Sequence, residues 1–398
     1  MTSRWLTLTL ALLAAACGGG TSPTPPEPNP DPVPLPSPPP TAKGAVSAGE
    51  HHTCGFNSNG ETWCWGRNQY GEQGTSGDES PVPVQARITG LAQVVSGNQA
   101  TCGLKTDGTF WCWGRILSED EDTLFSPPQQ LTVFGTEVQS FDMGEETAYV
   151  TKKDGSIWAY SQGDTQQVVA SGARALSVYD GDFMCFVKSD GTLVCQGYNN
   201  AGNLGNGTTS GGSVQVKVPA GTLFQQVSVG GNFACGLTTA GEVWCWGANE
   251  VAQTGTRTGT QDCFWSSGAL PCNPTPRKIT GLPAPAKVLV TAYSTALVLL
   301  TDGTVWGWGG NATLQLGAAT QETCPNIFGN DPCSSTPVKV PVQNMLTLSA
   351  GGDHVCGCDT SGTAWCWGFS ASGKLGTTSQ PETLEGEPPA QVLNFRCW

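Results

Sequence analysis

Pairs of cysteines separated by nine residues are the part of this sequence with the clearest potential for chemistry. Residues 53–66 read TCGFNSNGETWCWG, and the same phrase returns at 101–114, 234–247 and 355–368. Two thiols at this spacing could bind a metal, cycle between thiol and disulfide, or form a permanent cross-link. The choice among these three decides whether the repeated phrase is reactive or structural.

A metal site or a redox centre is the less favoured interpretation. Zinc ligands usually come as closely spaced pairs that converge from two places, often with histidine, whereas the whole chain has three histidines, all within the repeat. C-x-x-C is missing, and its nearest approach is Cys356-x-Cys358. We therefore expect no metal, no cofactor and no catalytic residues, and we do not expect an enzyme.

The geometry of a β-hairpin favours the cross-link. If each phrase is a hairpin with a three-residue loop and a glycine in the left-handed position, counting outward brings the two cysteines opposite each other. They then occupy a non-hydrogen-bonded pair, where Cα atoms approach to about 4.5 Å, which suits a disulfide. The predicted bridges are Cys54–Cys64, Cys102–Cys112, Cys185–Cys195, Cys235–Cys245 and Cys356–Cys366.

The other cysteines, apart from one near the N-terminus, can be paired as well. Two C-x8-C clips lie in long inserts of consecutive copies, and two cysteines are left to each other. These pairs are Cys263–Cys272, Cys324–Cys333 and Cys358–Cys397. A set that pairs without remainder is expected to be oxidised in an exported protein.

Two copies of the phrase lack cysteines and support a structural role. The facing positions are Tyr149 and Ala159 in the third copy and Leu297 and Gly307 in the sixth. A large residue opposite a small one fills the volume that a bridge would occupy. The paired tryptophans are interpreted in the same way, as packing residues, with a sugar-binding platform as the weaker alternative.

Seven copies of a unit of about 50 residues fill most of the chain. Their turn glycines are Gly60, Gly108, Gly155, Gly191, Gly241, Gly303 and Gly362. Each unit contains four strand-like segments, and four-stranded units repeated radially form a β-propeller. The sequence therefore predicts an all-β, seven-bladed propeller. The first copy opens at 45–49 without a Pro-Val strand, so we expect the C-terminal strand (388–395) to complete the first blade and close the ring.

The unit also resembles a known repeat. The segment Ser47–Gly74 has the form SAG-x-x-HTCGF-x-x-x-G-x-TWCWG-x-N-x-x-G-x-x-G and is similar to the regulator of chromosome condensation repeat. The resemblance covers 42–398 and implies a seven-bladed propeller that binds a protein through one face. The Cys-rich form resembles secreted bacterial members. The eukaryotic branch implies another function, guanine nucleotide exchange on a small GTPase.

The N-terminal segments predict export and a lipid anchor. Residues 1–17 combine Arg4, an apolar run and small residues before Cys17, which resembles a bacterial lipoprotein signal peptide with a lipidated cysteine. Residues 18–41 are proline-rich and predict a disordered tether, and 42–398 form the propeller. We expect a monomer in the bacterial cell envelope, at the outer membrane or cell surface, with free secretion as the alternative.

The charge of the chain bears on its partners. A formal net charge of −14 without a basic stripe argues against nucleic acid. The acidic run 118–122 could bind calcium, although a solvated loop is the simpler interpretation. No apolar run in the rest of the chain approaches a transmembrane helix, so we expect membrane contact only through the lipid anchor.

Loops that interrupt the repeat are the candidates for partner binding. DCFWSSGALPC (262–272) and TCPNIFGNDPC (323–333) fall at equivalent points of adjacent copies. Their apolar residues are Phe264, Trp265, Ile327 and Phe328. Bridged loops lose less entropy on binding, and aromatic residues dominate interface energetics. We therefore expect a scaffold that binds an unidentified protein partner, with glycan binding as the alternative. The structural alternative is that these residues fold back on the propeller.

Overall fold

The computed structural model describes residues 45–117, 127–179, 181–265, 268–326, 329–377 and 386–398. These residues form seven antiparallel sheets, each built of four strands or of four strands and an added hairpin strand. The prediction of a seven-bladed, all-β propeller is confirmed. Short 3-10 turns occur at Arg115–Leu117, Thr132–Phe134 and Ala371–Gly373.

The strands follow the blades in chain order. Blade 1 contains β1 (Ala45–Ala48), β2 (His52–Phe56), β3 (Glu61–Gly66) and β4 (Ser80–Thr89). Blade 2 contains β5 (Leu91–Ser96), β6 (Ala100–Lys105), β7 (Phe110–Gly114) and β8 (Gln129–Gln130). Blade 3 contains β9 (Val138–Met143), β10 (Ala148–Lys152), β11 (Ile157–Ser161) and β12 (Asp164–Val169). Blade 4 contains β13 (Ala173–Val178), β14 (Phe183–Lys188), β15 (Leu193–Gly197) and β16 (Gly212–Gln215).

Blades 5 and 6 each carry one additional strand. Blade 5 contains β17 (Phe224–Val229), β18 (Phe233–Thr238), β19 (Val243–Ala248), β20 (Gln261–Trp265) and β21 (Gly268–Lys278). Blade 6 contains β22 (Ala286–Thr291), β23 (Thr295–Leu300), β24 (Val305–Gly310), β25 (Glu322–Asn326) and β26 (Gly329–Lys339). Blade 7 contains β27 (Ser349–Ala350), β28 (His354–Cys358), β29 (Thr363–Phe369) and β30 (Gly386–Arg396).

The first strand of each blade lines the axis of the ring, around a cavity of about 300 Å³. Loops after the first and third strands share one face, here called the upper face. Hydrogen bonds between such loops, from Arg67 to the Asn98 carbonyl and from Lys374 to the Glu50 carbonyl, show that they meet on the same side. The hairpin turns between the second and third strands lie on the opposite, lower face.

The C-terminal strand does not complete the first blade, so that prediction was wrong. β30 pairs with β29 inside blade 7. The outermost strand of blade 1 is β4, which pairs with β3 and follows it in the chain. The Pro-Val segment therefore forms the last strand of a blade and not the first. β30 is accordingly the fourth strand of blade 7.

Hydrogen bonds on the lower face tie the hairpin turns to the connections between blades. At the junctions of blades 1–2, 3–4, 4–5, 5–6 and 6–7, a residue in the connection donates to the turn of the blade that the chain leaves. It or the residue before it accepts from the turn of the blade that the chain enters. Gly90 does both, between Gly60 and Thr106. Blade 1 is the first blade of the chain, so this link has to come from elsewhere.

Cys397 supplies the link, so the C-terminal segment does close the ring. Its N–H donates to the carbonyl of Gly362 in blade 7 at 2.9 Å, and its carbonyl accepts from the N–H of Ser58 in blade 1 at 3.1 Å. A disulfide to Cys358 holds Cys397 against β28. Closure thus depends on contacts of the chain end and not on the exchange of a strand.

Five fully buried tryptophans bind neighbouring blades together. Each is the second tryptophan of the repeated phrase, and its indole N–H donates to a backbone carbonyl in the upper loop of the preceding blade. The donor and acceptor pairs are Trp65–Lys374, Trp113–Glu72, Trp246–Asn203, Trp308–Gln253 and Trp367–Gln315. A buried indole needs such a partner, so these residues combine packing with a fixed register between blades.

Candidate functional site

The structure brings together all eight expected cysteine pairs. In the five bridges within blades, the Cα atoms lie 4.1 to 4.2 Å apart and every cysteine is fully buried. Cys102 lies opposite Cys112, and Gly103 lies opposite Trp111, in the predicted register. A bridged pair sealed in a blade presents no free thiol, so these cysteines hold the hairpin.

The blades without a bridge have the predicted large and small partners. Tyr149 lies opposite Ala159 in blade 3, and Leu297 lies opposite Gly307 in blade 6. A Cβ at Gly307 would lie 3.2 Å from the Leu297 side chain. The leucine therefore occupies space that a side chain at position 307 would need, which agrees with a packing role for this position.

Two histidines of the repeat are buried at junctions between blades. His52 Nε2 lies 2.7 Å from the Thr101 hydroxyl, and His354 Nε2 lies 2.7 Å from the Thr53 hydroxyl. Burial, followed by the charge of Arg67, lowers the pKa of His52 to about 3. Burial also holds the pKa of His354 well below its usual value. Both imidazoles are neutral at physiological pH and serve the contacts between blades.

Lys374 is a buried cation at the closing junction of blades 7 and 1. Its side chain is 2% exposed, and Nζ donates to the Glu50 carbonyl at 2.9 Å and lies 4.7 Å above the ring of Phe369. Burial lowers the pKa of Lys374 to about 8, although Asp353 and Glu50 oppose the shift. These partners enclose the ammonium group. Lys374 therefore serves as a contact between blade 7 and blade 1, where the ring closes.

The central channel is lined by a chain of hydrogen bonds between blades. At five junctions, a side chain on one innermost strand accepts from a backbone N–H on the next. The donor and acceptor pairs are Ala48–Ser349, Ser96–Ser47, Val178–Asp142, Val229–Ser177 and Thr291–Ser228. Asp142 is the one carboxylate among these acceptors. Burial raises its pKa to about 6 against the hydrogen bonds that it accepts.

Two hairpins extend from the upper face of adjacent blades. β20 pairs with the first part of β21, and the rest of β21 is the outermost strand of blade 5. β25 and β26 repeat this arrangement in blade 6. Cys272 lies opposite Ala248, and Cys333 lies opposite Gly310. The hairpins, here called hairpin 5 (261–272) and hairpin 6 (322–333), therefore leave their blades at equivalent points.

The disulfides of the two hairpins are buried, whereas most of the described residues beside them are exposed. Cys263, Cys272, Cys324 and Cys333 are each at most 3% exposed. The exposed neighbours are Gln261, Asp262, Ala269, Thr323, Pro325, Gly329, Asn330 and Pro332. The described parts of the hairpins thus project from the ring instead of lying flat against it.

Two of the four predicted contact residues belong to a described strand of hairpin 5. Phe264 and Trp265 occupy the last two positions of β20, opposite Ala269 and Gly268. Ile327 and Phe328 lie outside the described residues. Two further sequence predictions, the lipidated Cys17 and the acidic run 118–122, also lie outside them.

An ion pair that was not predicted from the sequence joins the base of hairpin 6 to the upper loop of blade 5. Arg257, in the upper loop of blade 5, pairs with Glu322 and donates to the Thr323 carbonyl at 3.0 Å. Glu322 also accepts from the N–H and hydroxyl of Ser335 on β26. Burial acts to raise the pKa of Glu322, but the hydrogen bonds from Ser335 and Arg257 outweigh it and lower the pKa.

Apolar contacts add to this link. Val251 and Ala252, also in the upper loop of blade 5, form one buried cluster with Cys324 and Cys333. Hairpin 6 is therefore fixed to the upper loop of blade 5 as well as to its own blade. Among the described residues, no helix is long and apolar enough to cross a membrane.

Comparisons with known proteins agree with the repeat and the fold. Models of the regulator of chromosome condensation (RCC1) repeat match residues 45–72, 91–115, 224–253 and 302–358. The ultraviolet-B receptor UVR8 of Arabidopsis thaliana is 24% identical over 361 residues, which cover 83% of this chain and 78% of the receptor. The secretion-regulating guanine nucleotide exchange factor of Bos taurus is 27% identical, covering 49% of this chain and 40% of that protein.

Solved structures share the architecture at low sequence identity. Human WBSCR16 superposes with a TM-score of 0.62 at 16% identity, over 80% of this chain and 86% of that one. Prp20p from Saccharomyces cerevisiae gives a TM-score of 0.50 at 16% identity, over 88% and 76% of the two chains. The chain therefore carries repeats of the regulator of chromosome condensation type within a seven-bladed propeller.

Proposed function

We propose that this chain is an extracytoplasmic scaffold that binds a protein partner through hairpins 5 and 6. The observation that carries the proposal is the pair of exposed hairpins on adjacent blades, each with its own disulfide. The ion pair of Arg257 with Glu322 also fixes hairpin 6 to the upper loop of blade 5. The scaffold acts by binding and not by catalysis.

Preorganisation is the physical reason that this surface suits binding. A two-stranded hairpin is marginally stable by itself, so an unbridged insert would lose conformational freedom when a partner ordered it. The disulfides and the ion pair at the base of hairpin 6 remove much of that cost before binding. The sequences of the two inserts also contain Trp265 and Phe328, and aromatic residues are among those that contribute most at protein interfaces.

The disulfides also support the proposed compartment. Eight buried disulfides are typical of an oxidising environment outside the cytosol. A lipid on Cys17 and a tether over 18–41 would hold the ring at the surface of the cell envelope. Free secretion would leave the same binding surface in solution.

The relatives support protein binding in general terms. The name of the Bos taurus relative describes a guanine nucleotide exchange factor, and the Prp20p structure was described with binding to Gsp1p and histones. Exchange on a GTPase is the second candidate for this chain on that ground. An exported, oxidised propeller would not meet a cytosolic GTPase, so the proposal is binding without nucleotide exchange.

Affinity capture with matched variants tests the proposal. The tagged full-length chain, oxidised and checked for its disulfides, is used to recover proteins from cell-envelope extract. The variant Trp265→Ala/Phe328→Ala should recover at least about tenfold less partner, since anchoring aromatics contribute about 2 kcal/mol each. The control is Leu223→Ala/Leu346→Ala, which removes two exposed side chains from the lower face. Equal recovery by all three proteins would contradict a role for the hairpins.

A further inference from the structure

We propose that a cleft on the lower face, at the junction of blades 1 and 7, binds a carbohydrate. The cleft has a volume of about 330 Å³ and lies between the hairpin turn of blade 1 and the C-terminal segment. Two indole rings, Trp63 and Trp398, line it together with Asn59, Glu61 and Asn394. Its volume is at the lower end of the range for small-molecule sites.

Trp63 differs from its counterparts in blades 2 and 3, whereas blades 5, 6 and 7 also lack a lysine at the equivalent position. In blade 2, the ammonium group of Lys105 lies 4.3 Å from the ring centre of Trp111. In blade 3, the ammonium group of Lys152 lies 4.5 Å from the ring centre of Trp158. These cations cover the rings through cation–π contacts. The equivalent position in blade 1 is an asparagine, so the same cover is missing from Trp63.

The indole N–H of Trp63 is also available. In blades 2 and 3, the indole N–H donates to a hydroxyl near the turn, that of Thr109 or Ser156. Blade 1 has Glu61 at this position, and none of the described residues accepts a hydrogen bond from Trp63. The ring is only partly buried, so it offers an apolar face and one donor to the cleft.

Hydrogen bonds hold some of the polar groups around the two rings in place, and other polar atoms there have no hydrogen-bond partner among the described residues. Asn57 Nδ2 donates to Glu61 Oε2 at 2.8 Å, and Asn57 Oδ1 accepts from the N–H of Glu61 and of Asn59. The second oxygen of Glu61 has no hydrogen-bond partner among the described residues. Asn59 and Asn394 present exposed amides. The cleft thus combines donors and acceptors with aromatic faces.

This combination selects a carbohydrate. A sugar ring presents C–H groups on its faces, which pack on indole rings, and hydroxyl groups around its rim, which both donate and accept. The walls also carry the Glu61 carboxylate and the Arg396 guanidinium group, and both can form hydrogen bonds with sugar hydroxyls. The site is distinct from the hairpins, because it lies on the opposite face and at another junction.

The cleft exists only where the ring closes. The disulfide Cys358–Cys397 and the hydrogen bond from Ser58 to Cys397 place the next residue, Trp398, beside the turn of blade 1. Trp398 packs against Gly362, where a Cβ would lie 2.9 Å from Cδ1 of the indole. Closure of the propeller therefore builds the second aromatic wall.

Titration calorimetry of the full-length chain with short chito-, cello- and manno-oligosaccharides and with peptidoglycan fragments tests this site. We expect saturable binding that weakens at least about tenfold in Trp398→Ala and in Glu61→Gln, because stacking and a fixed carboxylate are both lost. The control is Trp306→Ala. Trp306 is the counterpart of Trp63 in blade 6 and lies outside the cleft, so its loss should leave oligosaccharide affinity unchanged. Thermal melting identifies variants that fail to fold, and Asn59→Ala then replaces them because its side chain is exposed.

Three results would overturn the carbohydrate site. The first is the absence of binding by every oligosaccharide at millimolar concentration. The second is equal binding by the wild type, Trp398→Ala and Asn59→Ala. The third is that a proline-rich peptide, such as one with the sequence of residues 21–40, binds the chain in the same titration while no oligosaccharide does. Aromatic grooves also accept polyproline helices.

Discussion

The bridges inside the blades and the clips in the hairpins use the same covalent bond in different surroundings. Bridges such as Cys235–Cys245 lie between strands that are themselves buried, and Leu297 with Gly307 fills the same place in blade 6. The clip Cys263–Cys272 is also buried, but its neighbours in the chain are exposed. The bridges stabilise packed blades, whereas the clips stabilise hairpins whose described residues are mostly exposed.

Loss of a blade bridge should give the largest effect on stability. Cys235→Ala/Cys245→Ala is expected to lower the free energy of unfolding by about 2 to 5 kcal/mol, through loss of the cross-link and the cavity left behind. Cys235→Leu/Cys245→Gly, which copies blade 6, should recover part of that loss. Denaturant unfolding measures both variants. Equal destabilisation would show that the large and small pair does not replace the volume of the bridge.

The second-largest expected effect is on the pH dependence of stability, which should differ between the central channel and the base of hairpin 6. The pKa of Asp142 is raised to about 6 in the folded state, above its unfolded value, so its contribution to stability is present at low pH and lost as the pH rises through 6. Asp142→Ser copies the serines of the neighbouring strands. It should raise stability above pH 6 by about 1 to 2 kcal/mol and have little effect near pH 4.

The effect at the hairpin base has the opposite sign. The pKa of Glu322 is lowered in the folded state, so its contribution to stability is present at neutral pH and lost as the pH falls through the lowered pKa.

Thermal unfolding of Asp142→Ser and of the wild type between pH 4 and 8 measures the pH dependence expected for Asp142. A stability difference that does not change with pH would contradict the raised pKa of Asp142.

Removal of the link between hairpin 6 and the upper loop of blade 5 should give the smallest change in stability. Arg257→Ala breaks a largely exposed ion pair, and such pairs contribute about 0.2 to 1 kcal/mol. Partner affinity should fall about two- to threefold, because hairpin 6 loses part of its fixed position. Lys278→Ala is a matched control, since it breaks an exposed ion pair with Glu242 outside the hairpins. An equal effect of both variants on binding would argue against a role of this link in positioning hairpin 6.

The hairpin register could be predicted from the sequence because it depends on local geometry. Once the turn glycine is placed, counting outward puts Cys102 opposite Cys112 and Tyr149 opposite Ala159. The position of the last strand could not be predicted in this way. In a periodic sequence a unit can be drawn to begin at any strand, and only the pairing of β4 with β3 and of β30 with β29 fixes its boundary.

The candidate sites also differ in whether they depend on local sequence or on contacts between distant residues. The two hairpins could be predicted because they interrupt the repeat at equivalent points. The link between Arg257 and Glu322 and the cleft between Trp63 and Trp398 could not, because each joins residues that are far apart in sequence. Blade 1 has Asn57 where blades 2 and 3 have a lysine, but blades 5, 6 and 7 lack this lysine as well, so the position does not single out the cleft.

The affinity of the recovered partner for a chain without clips tests the proposed function most directly. In Cys263→Ser/Cys272→Ser/Cys324→Ser/Cys333→Ser, both hairpins keep their sequence apart from the sulfur atoms but lose their preorganisation. Surface plasmon resonance should show affinity about tenfold weaker, while the melting temperature of the ring shifts by only a few degrees. An unchanged affinity in a folded variant would contradict the role of the clipped hairpins as the binding surface.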